Sequence, residues 1–335
     1  MLRRTIAVLA ALTLAGGVAA CSSSDESADD TAVSTSTGDW PRTVSTERGD
    51  ITIEQQPERI VSTSVTLTGS LLALDAPLAG TAAQPPSTVT DDRGLFTQWA
   101  DVATDRNLDV LYQGQPNVEA ITAAEPDLIF VSASGADSAL DQYDVLSKIA
   151  PVVVVRYDDK SWEETTEQVA AAIGAEQQAD DLLASFDDKI DKAKEALGPE
   201  VLSSANPVNT LTYNSPKESK IFTAESAQGE LLARLGLTTA ELPAEIAAAG
   251  PGGAMGKRSD IVSVAQENLS RALPGNTTFV IAAEDDAAER LLSDATLRET
   301  PSVVAGHVYA LGTTSFRLDY YSASDMIDRV VDVLT

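Results

Sequence analysis

Apolar residues in this chain come in two rhythms, short continuous runs and stripes spaced by three or four, and their alternation predicts a layered α/β fold. Glu58-Arg59-Ile60-Val61-Ser62 reads as a strand, and from about Thr68 the positions of Leu71, Leu72 and Leu74 predict a helix. Further on, Asn117 offers an N-cap to a short helix that Pro126 ends, and Leu128-Ile129-Phe130-Val131 is a buried strand. A similar unit returns near the other end: Gln266-Glu267-Asn268-Leu269, then Pro274, then Thr278-Phe279-Val280-Ile281. In both, the glutamate precedes the proline by seven residues, a loose repeat that reads as two lobes built alike. Between the units, Ala179, Leu182, Leu183, Phe186, Ile190, Ala193 and Leu197 mark one face of a helix from Glu176 to Leu197, which Gly198-Pro199 ends. Its residues, at a rise of 1.5 Å each, make a rod of roughly 33 Å, long enough to run along a whole lobe. Met326, Ile327, Val330, Val331 and Leu334 predict a last amphipathic helix from Ser322.

The first residues follow another pattern. Arg3 and Arg4 precede an apolar run from Ile6 to Ala20, too short to span a bilayer with flanks but right for the core of a signal peptide over residues 1–20. The run closes on Val18-Ala19-Ala20-Cys21, which resembles the bacterial lipobox, so Cys21 is the expected site of acylation. It is the only cysteine, which excludes an intramolecular disulfide. Residues 21–38 are rich in Ser, Thr and Asp and poor in large apolar side chains, and so read as a flexible tether. The chain is therefore expected outside the cytoplasm, held to the cell membrane by lipid on Cys21 alone.

Composition sharpens the picture. The rest of the chain is longer than one core usually holds, and 43% hydrophobic content suffices for two lobes. The expected division is an N-terminal lobe over 39–160, linking helices over 161–200 and a C-terminal lobe over 201–335. A formal charge of −28 disfavours nucleic acid and anionic headgroups as partners, so an anionic ligand needs a local cationic pocket. An enzyme is a poor reading: His307 is the sole histidine and stands at a strand start, and neither a Gly-x-Ser-x-Gly elbow nor a phosphate loop is present. One histidine is also too few for a zinc or manganese receptor. Direct capture of ferric iron by Tyr320 and Tyr321, or of haem or cobalamin, is the alternative to the reading that follows.

Two Rossmann-like α/β lobes joined by one long α-helix resemble the class III binding proteins of ABC importers, those for siderophores, haem and cobalamin. The stretches Arg59 to Ala73, Tyr157-Asp158-Asp159-Lys160-Ser161-Trp162 and Phe316-Arg317-Leu318-Asp319-Tyr320-Tyr321-Ser322-Ala323 resemble the ferric-siderophore members, with similarity from about Trp40 to the end. The resemblance implies a monomeric binding protein without cofactor. It would hand a ferric siderophore, a catecholate of the enterobactin kind, to an ABC permease driven by a separate ATPase. A ferric catecholate has its iron saturated and is strongly anionic, so guanidinium groups and aromatic walls are what such a site needs. By position in the family's motifs, Arg317 is the pocket arginine and Phe316 a neighbouring wall. Phe222 stands where the family has a tryptophan, and Tyr112 stands where other members line the cleft. A further family arginine falls near Thr88, where Arg93 on the same loop is the candidate substitute. Glu119 and Glu267 match the acidic residues that dock on the permease. Lys257-Arg258 matches the family without an assigned role.

Overall fold

Continuous apolar strands between helices give two five-stranded sheets in sequence. The structure is a computed structural model that describes residues 40–215, 217–248 and 259–335. The signal segment, Cys21, the tether and Lys257-Arg258 lie outside those residues. A hairpin of β1 (Arg42–Thr46) and β2 (Gly49–Ile53) opens the fold. There follow β3 (Ile60–Ser62), α1 (Val65–Ala73), β4 (Leu78–Ala83), α2 (Thr97–Asp105), β5 (Val110–Gln113), α3 (Val118–Ala123), β6 (Leu128–Ser132), α4 (Tyr143–Leu146), β7 (Val152–Val155) and α5 (Trp162–Ile173). The sheet runs β5-β4-β3-β6-β7, every pair parallel. Residues of β3, β6 and β7 are buried throughout, as strands covered on both faces must be. Strand order reverses between β3 and β6, which places a crevice at their carboxyl ends.

Helix α6 (Glu176–Ala205) then leads to β8 (Val208–Thr212), β9 (Glu218–Phe222), α7 (Ala227–Arg234), α8 (Ala244–Ala248), β10 (Ile261–Ala265), β11 (Thr277–Val280), α9 (Asp285–Ser293), α10 (Pro301–Ala305), β12 (Val308–Ala310) and α11 (Tyr320–Leu334). The second sheet runs β10-β9-β8-β11-β12, with β9 antiparallel to both neighbours and the other pairs parallel.

Two local readings change and a third is extended. Helix α1 begins at Val65, not near Thr68, because the Ser64 hydroxyl accepts from the Leu67 amide and caps it there. The unit after Gln266 is a 3-10 helix, Gln266–Ala272, where α3 is an α-helix capped by Asn117. Gly198-Pro199 does end the first and longer segment of α6, since Gly198 leaves the helical path at φ 64, ψ 166; Pro199 then starts a second, short segment that continues to Ala205.

Ala179, Phe186, Ile190, Ala193 and Leu197 form the buried stripe of α6, while Leu182 and Leu183 are half-buried. Phe186 meets Trp162 of α5 edge-on at 4.9 Å between ring centres and Tyr320 of α11 at 6.3 Å. Helix α11 packs on α6 and also against α1 and α2 of the first half. The two halves are thus joined twice, through the covalent run of α6 and through the returning α11.

Candidate functional site

A polar cluster forms where β3 and β6 end. Ser64, the cap of α1, donates from Oγ to Asp137 Oδ2 at 2.5 Å, and the Thr66 amide donates to the same oxygen at 3.1 Å. Asp137, on the loop after β6, thereby brings a carboxylate to the positive end of α1. Tyr157, just past β7, donates from its hydroxyl to Asp137 Oδ1 at 2.7 Å. Burial, and next the Asp137 charge, push the Tyr157 phenol up to about 12, so it stays a neutral donor.

Arg317 faces this cluster from the second half. Its Nη1 donates to Thr66 Oγ1 at 3.1 Å, and its Cζ lies 5.9 Å from the centre of the Phe96 ring. No carboxylate among the described residues comes within ion-pair distance of it, and its charge is felt by Tyr157. The preceding Phe316 is 37% exposed. Its ring meets that of Phe222 edge-on at 6.0 Å, while Phe222 itself is 2% exposed and belongs to the core of the second half. The turn that presents both Phe316 and Arg317 is pinned by Gln228, whose Nε2 donates to the Ser315 carbonyl at 2.9 Å and the Phe316 carbonyl at 2.8 Å.

The remaining candidates divide. Tyr112 is buried and donates to the Thr63 carbonyl at 3.2 Å, with burial raising its phenol above the ordinary value, so it braces the floor of the crevice beneath α1. Arg93 is committed to its own surroundings: Nε donates to Asp91 Oδ2 at 3.0 Å, and Nη2 to the Ala100 carbonyl at 3.0 Å and to Thr104 Oγ1 at 2.6 Å. Those bonds tie the loop to α2, and a ligand would have to compete with them. Thr88 is exposed on the same loop. Glu119, in the first turn of α3, and Glu267, in the 3-10 helix, are both exposed, and neither makes an ion pair among the described residues. Tyr320 and Tyr321 line a groove between α6 and α11 beside Lys189 and Lys192. Burial pushes the Tyr321 phenol up to about 12, which opposes the phenolate that direct iron ligation needs.

Sequence reasoning missed Ser64, Thr66, Tyr157 and Asp137 as site residues. The first three lie inside the matched stretches. Asp137 carries no motif, and the available signal was its place on a loop following a fully buried strand.

A guanidinium without a carboxylate partner among the described residues and an exposed aromatic ring, gathered with hydroxyl groups where two α/β halves meet, suit a solute-binding protein. The chain belongs to the periplasmic binding protein family, whose model matches residues 60–314. Members of this family are substrate-binding proteins of transport, not enzymes, and so is this chain. Over 294 residues it is 46% identical to the ferric enterobactin-binding periplasmic protein FepB of Escherichia coli O6:H1 strain CFT073, covering 87% of this chain and 90% of FepB. It is 29% identical over 233 residues to the probable siderophore-binding lipoprotein YfiY of Bacillus subtilis strain 168, covering 68% of this chain and 66% of YfiY. Among solved structures, holo-ViuP superposes with a TM-score of 0.73 at 34% identity, covering 86% of this chain and 93% of that one.

Proposed function

We propose that this protein binds a ferric siderophore outside the cytoplasmic membrane, a catecholate of the enterobactin kind, and delivers it to an ABC permease for iron uptake. The observation that carries the reading is Arg317. In a chain of formal charge −28 it is a cation left without a carboxylate partner among the described residues, held by Thr66 and flanked by Phe96 and Phe316. A guanidinium so placed can hydrogen-bond catecholate oxygens and stack on their rings. Phe316 is the wall the ligand meets, and Phe222 supports it from the core. The identity to FepB favours a catecholate over a hydroxamate or citrate complex.

The same reading assigns Cys21 as the lipid anchor, residues 1–20 as its signal and 21–38 as the tether. It assigns exposed Glu119 and Glu267 to permease docking, with a separate ATPase driving transport and the binding protein acting as a monomer. The iron arrives inside its siderophore, so no residue here need ligate it.

Quenching of intrinsic Trp and Tyr fluorescence, titrated with a ferric catecholate, a ferric hydroxamate and ferric citrate, tests the proposal. Saturable quenching by the catecholate, weakened about tenfold in Arg317→Ala, is the expected outcome; a tenfold loss corresponds to about 1.4 kcal/mol, the size of one charge-assisted hydrogen bond. Indifference to all three complexes would sink it.

A further inference from the structure

Asp319 lies two residues past Arg317 and is half-buried, yet the groups that hold it come from both halves. On its own helix, the Ser322 amide donates to Asp319 Oδ1 at 2.9 Å, and the Ser322 hydroxyl accepts from the Asp319 amide at 2.9 Å. These reciprocal bonds are a capping box and complete the start of α11 without further help. The Ser322 hydroxyl also donates to the Arg317 carbonyl at 2.8 Å, which closes residues 317–322 into one turn.

The second carboxylate oxygen does something else. Asp319 Oδ2 accepts from Gln98 Nε2 at 3.1 Å, and Gln98 belongs to α2 of the first half. Gly69 of α1 supplies the room: a Cβ there would stand 2.7 Å from Oδ2 and 3.2 Å from Trp99 Nε1, itself buried without a hydrogen-bond partner. Drawing a carboxylate partly out of water carries a desolvation penalty that capping alone does not require, since a serine or threonine caps nearly as well. What the carboxylate adds is a bond across the two halves at the turn that carries Arg317. The same half provides Thr66, the residue that receives the guanidinium.

We infer that Gln98 and Asp319 are a positioning pair for Arg317. Their bond sets where the arginine backbone stands above the crevice, and so sets affinity for an anionic ligand, without either side chain touching it. A long arginine side chain loses much rotamer freedom when it engages a ligand. Anchoring its backbone two residues away reduces what binding must still order. The inference rests on the reading of Arg317 as the ligand-binding cation.

A double-mutant cycle on the full-length protein separates positioning from general support. With the ferric catecholate as probe, Gln98→Ala should weaken binding about fivefold in the otherwise unchanged protein and less than about twofold in the Arg317→Ala background. Equal losses in both backgrounds, or none in the first, would overturn the inference while leaving the siderophore reading intact. If Arg317→Ala alone left affinity unchanged, the ligand reading of Arg317 would fall, and this inference with it. A second arm tests the bond itself: Gln98→Glu sets two carboxyl groups against each other and should weaken binding, and adding Asp319→Asn should restore it. Failure of that rescue in a folded double variant would equally overturn the pairing.

Discussion

Arg317 and Asp319 stand two positions apart with opposite charges and opposite environments. Asp319 is held above the usual carboxylate range, burial being the main cause, with bonds from Ser322, Gln98 and the Tyr321 backbone opposing it. A carboxyl group harder to ionise folded than unfolded contributes stability that is complete below the unfolded value of about 3.9 and is lost as pH rises through the folded one. Asp319→Asn keeps the cap, and a turned Gln98 amide can accept from the new one. The variant should therefore gain thermal stability over the parent on going from about pH 4 to about pH 7. Melting curves at both pH values check this, and an offset that does not change with pH would contradict it. Arg317 and Phe316 were legible in the sequence because they sit in one short matched stretch. Asp137 was not, since its partners Ser64 and Thr66 are 73 and 71 residues away and only the parallel pairing of β3 with β6 brings them together. Arg93 shows the converse: a loop arginine looks available in sequence, but Asp91 two residues earlier captures it.

Among the elements, the long helix was the most legible, because its apolar spacing is sustained over many turns. Its end was legible too, because Gly198 leaves the helical path where glycine followed by proline is a stop by local rules; what those rules do not announce is the second segment from Pro199 to Ala205 that carries the chain toward β8. Gly198 has open space where a Cβ would go, so replacing it with Ala meets no neighbour and strains only the backbone. At φ 64, ψ 166 that strain should cost about 1–3 kcal/mol, measurable by urea unfolding. A change within about 0.3 kcal/mol would mean that the bend relaxes freely. The glutamate-to-proline repeat was half legible. Both copies precede a buried strand, but only Asn117 supplies the cap that an α-helix needs, and Ala265 at the equivalent place offers no side-chain bond.

Taken whole, the molecule sets a strongly negative surface around a local cationic site. An anionic ligand approaching it is repelled at long range and attracted only at contact. Raising salt from about 0.02 M to about 0.5 M shortens the Debye length from roughly 20 Å to a few ångströms, so association with the ferric catecholate should speed up. Stopped-flow quenching reads this directly, and association slowed by salt would show that local cations dominate the approach. Two lobes and a joining helix could be read from apolar spacing and the resemblance together. That the last helix crosses back onto the first lobe could not, because α11 carries an ordinary amphipathic pattern that does not say which surfaces it meets.

That crossing has a consequence for the order in which the chain is made. Both sheets are complete once β12 has been synthesised, whereas Arg317 to Leu334, which make the second join between the halves, emerge later. Until then α1 and α2 present an uncovered seam around Gly69, and Thr66 has no guanidinium above it. A nascent chain can therefore hold two finished halves and still lack the guanidinium proposed to meet the ligand, which takes its place only when α11 arrives.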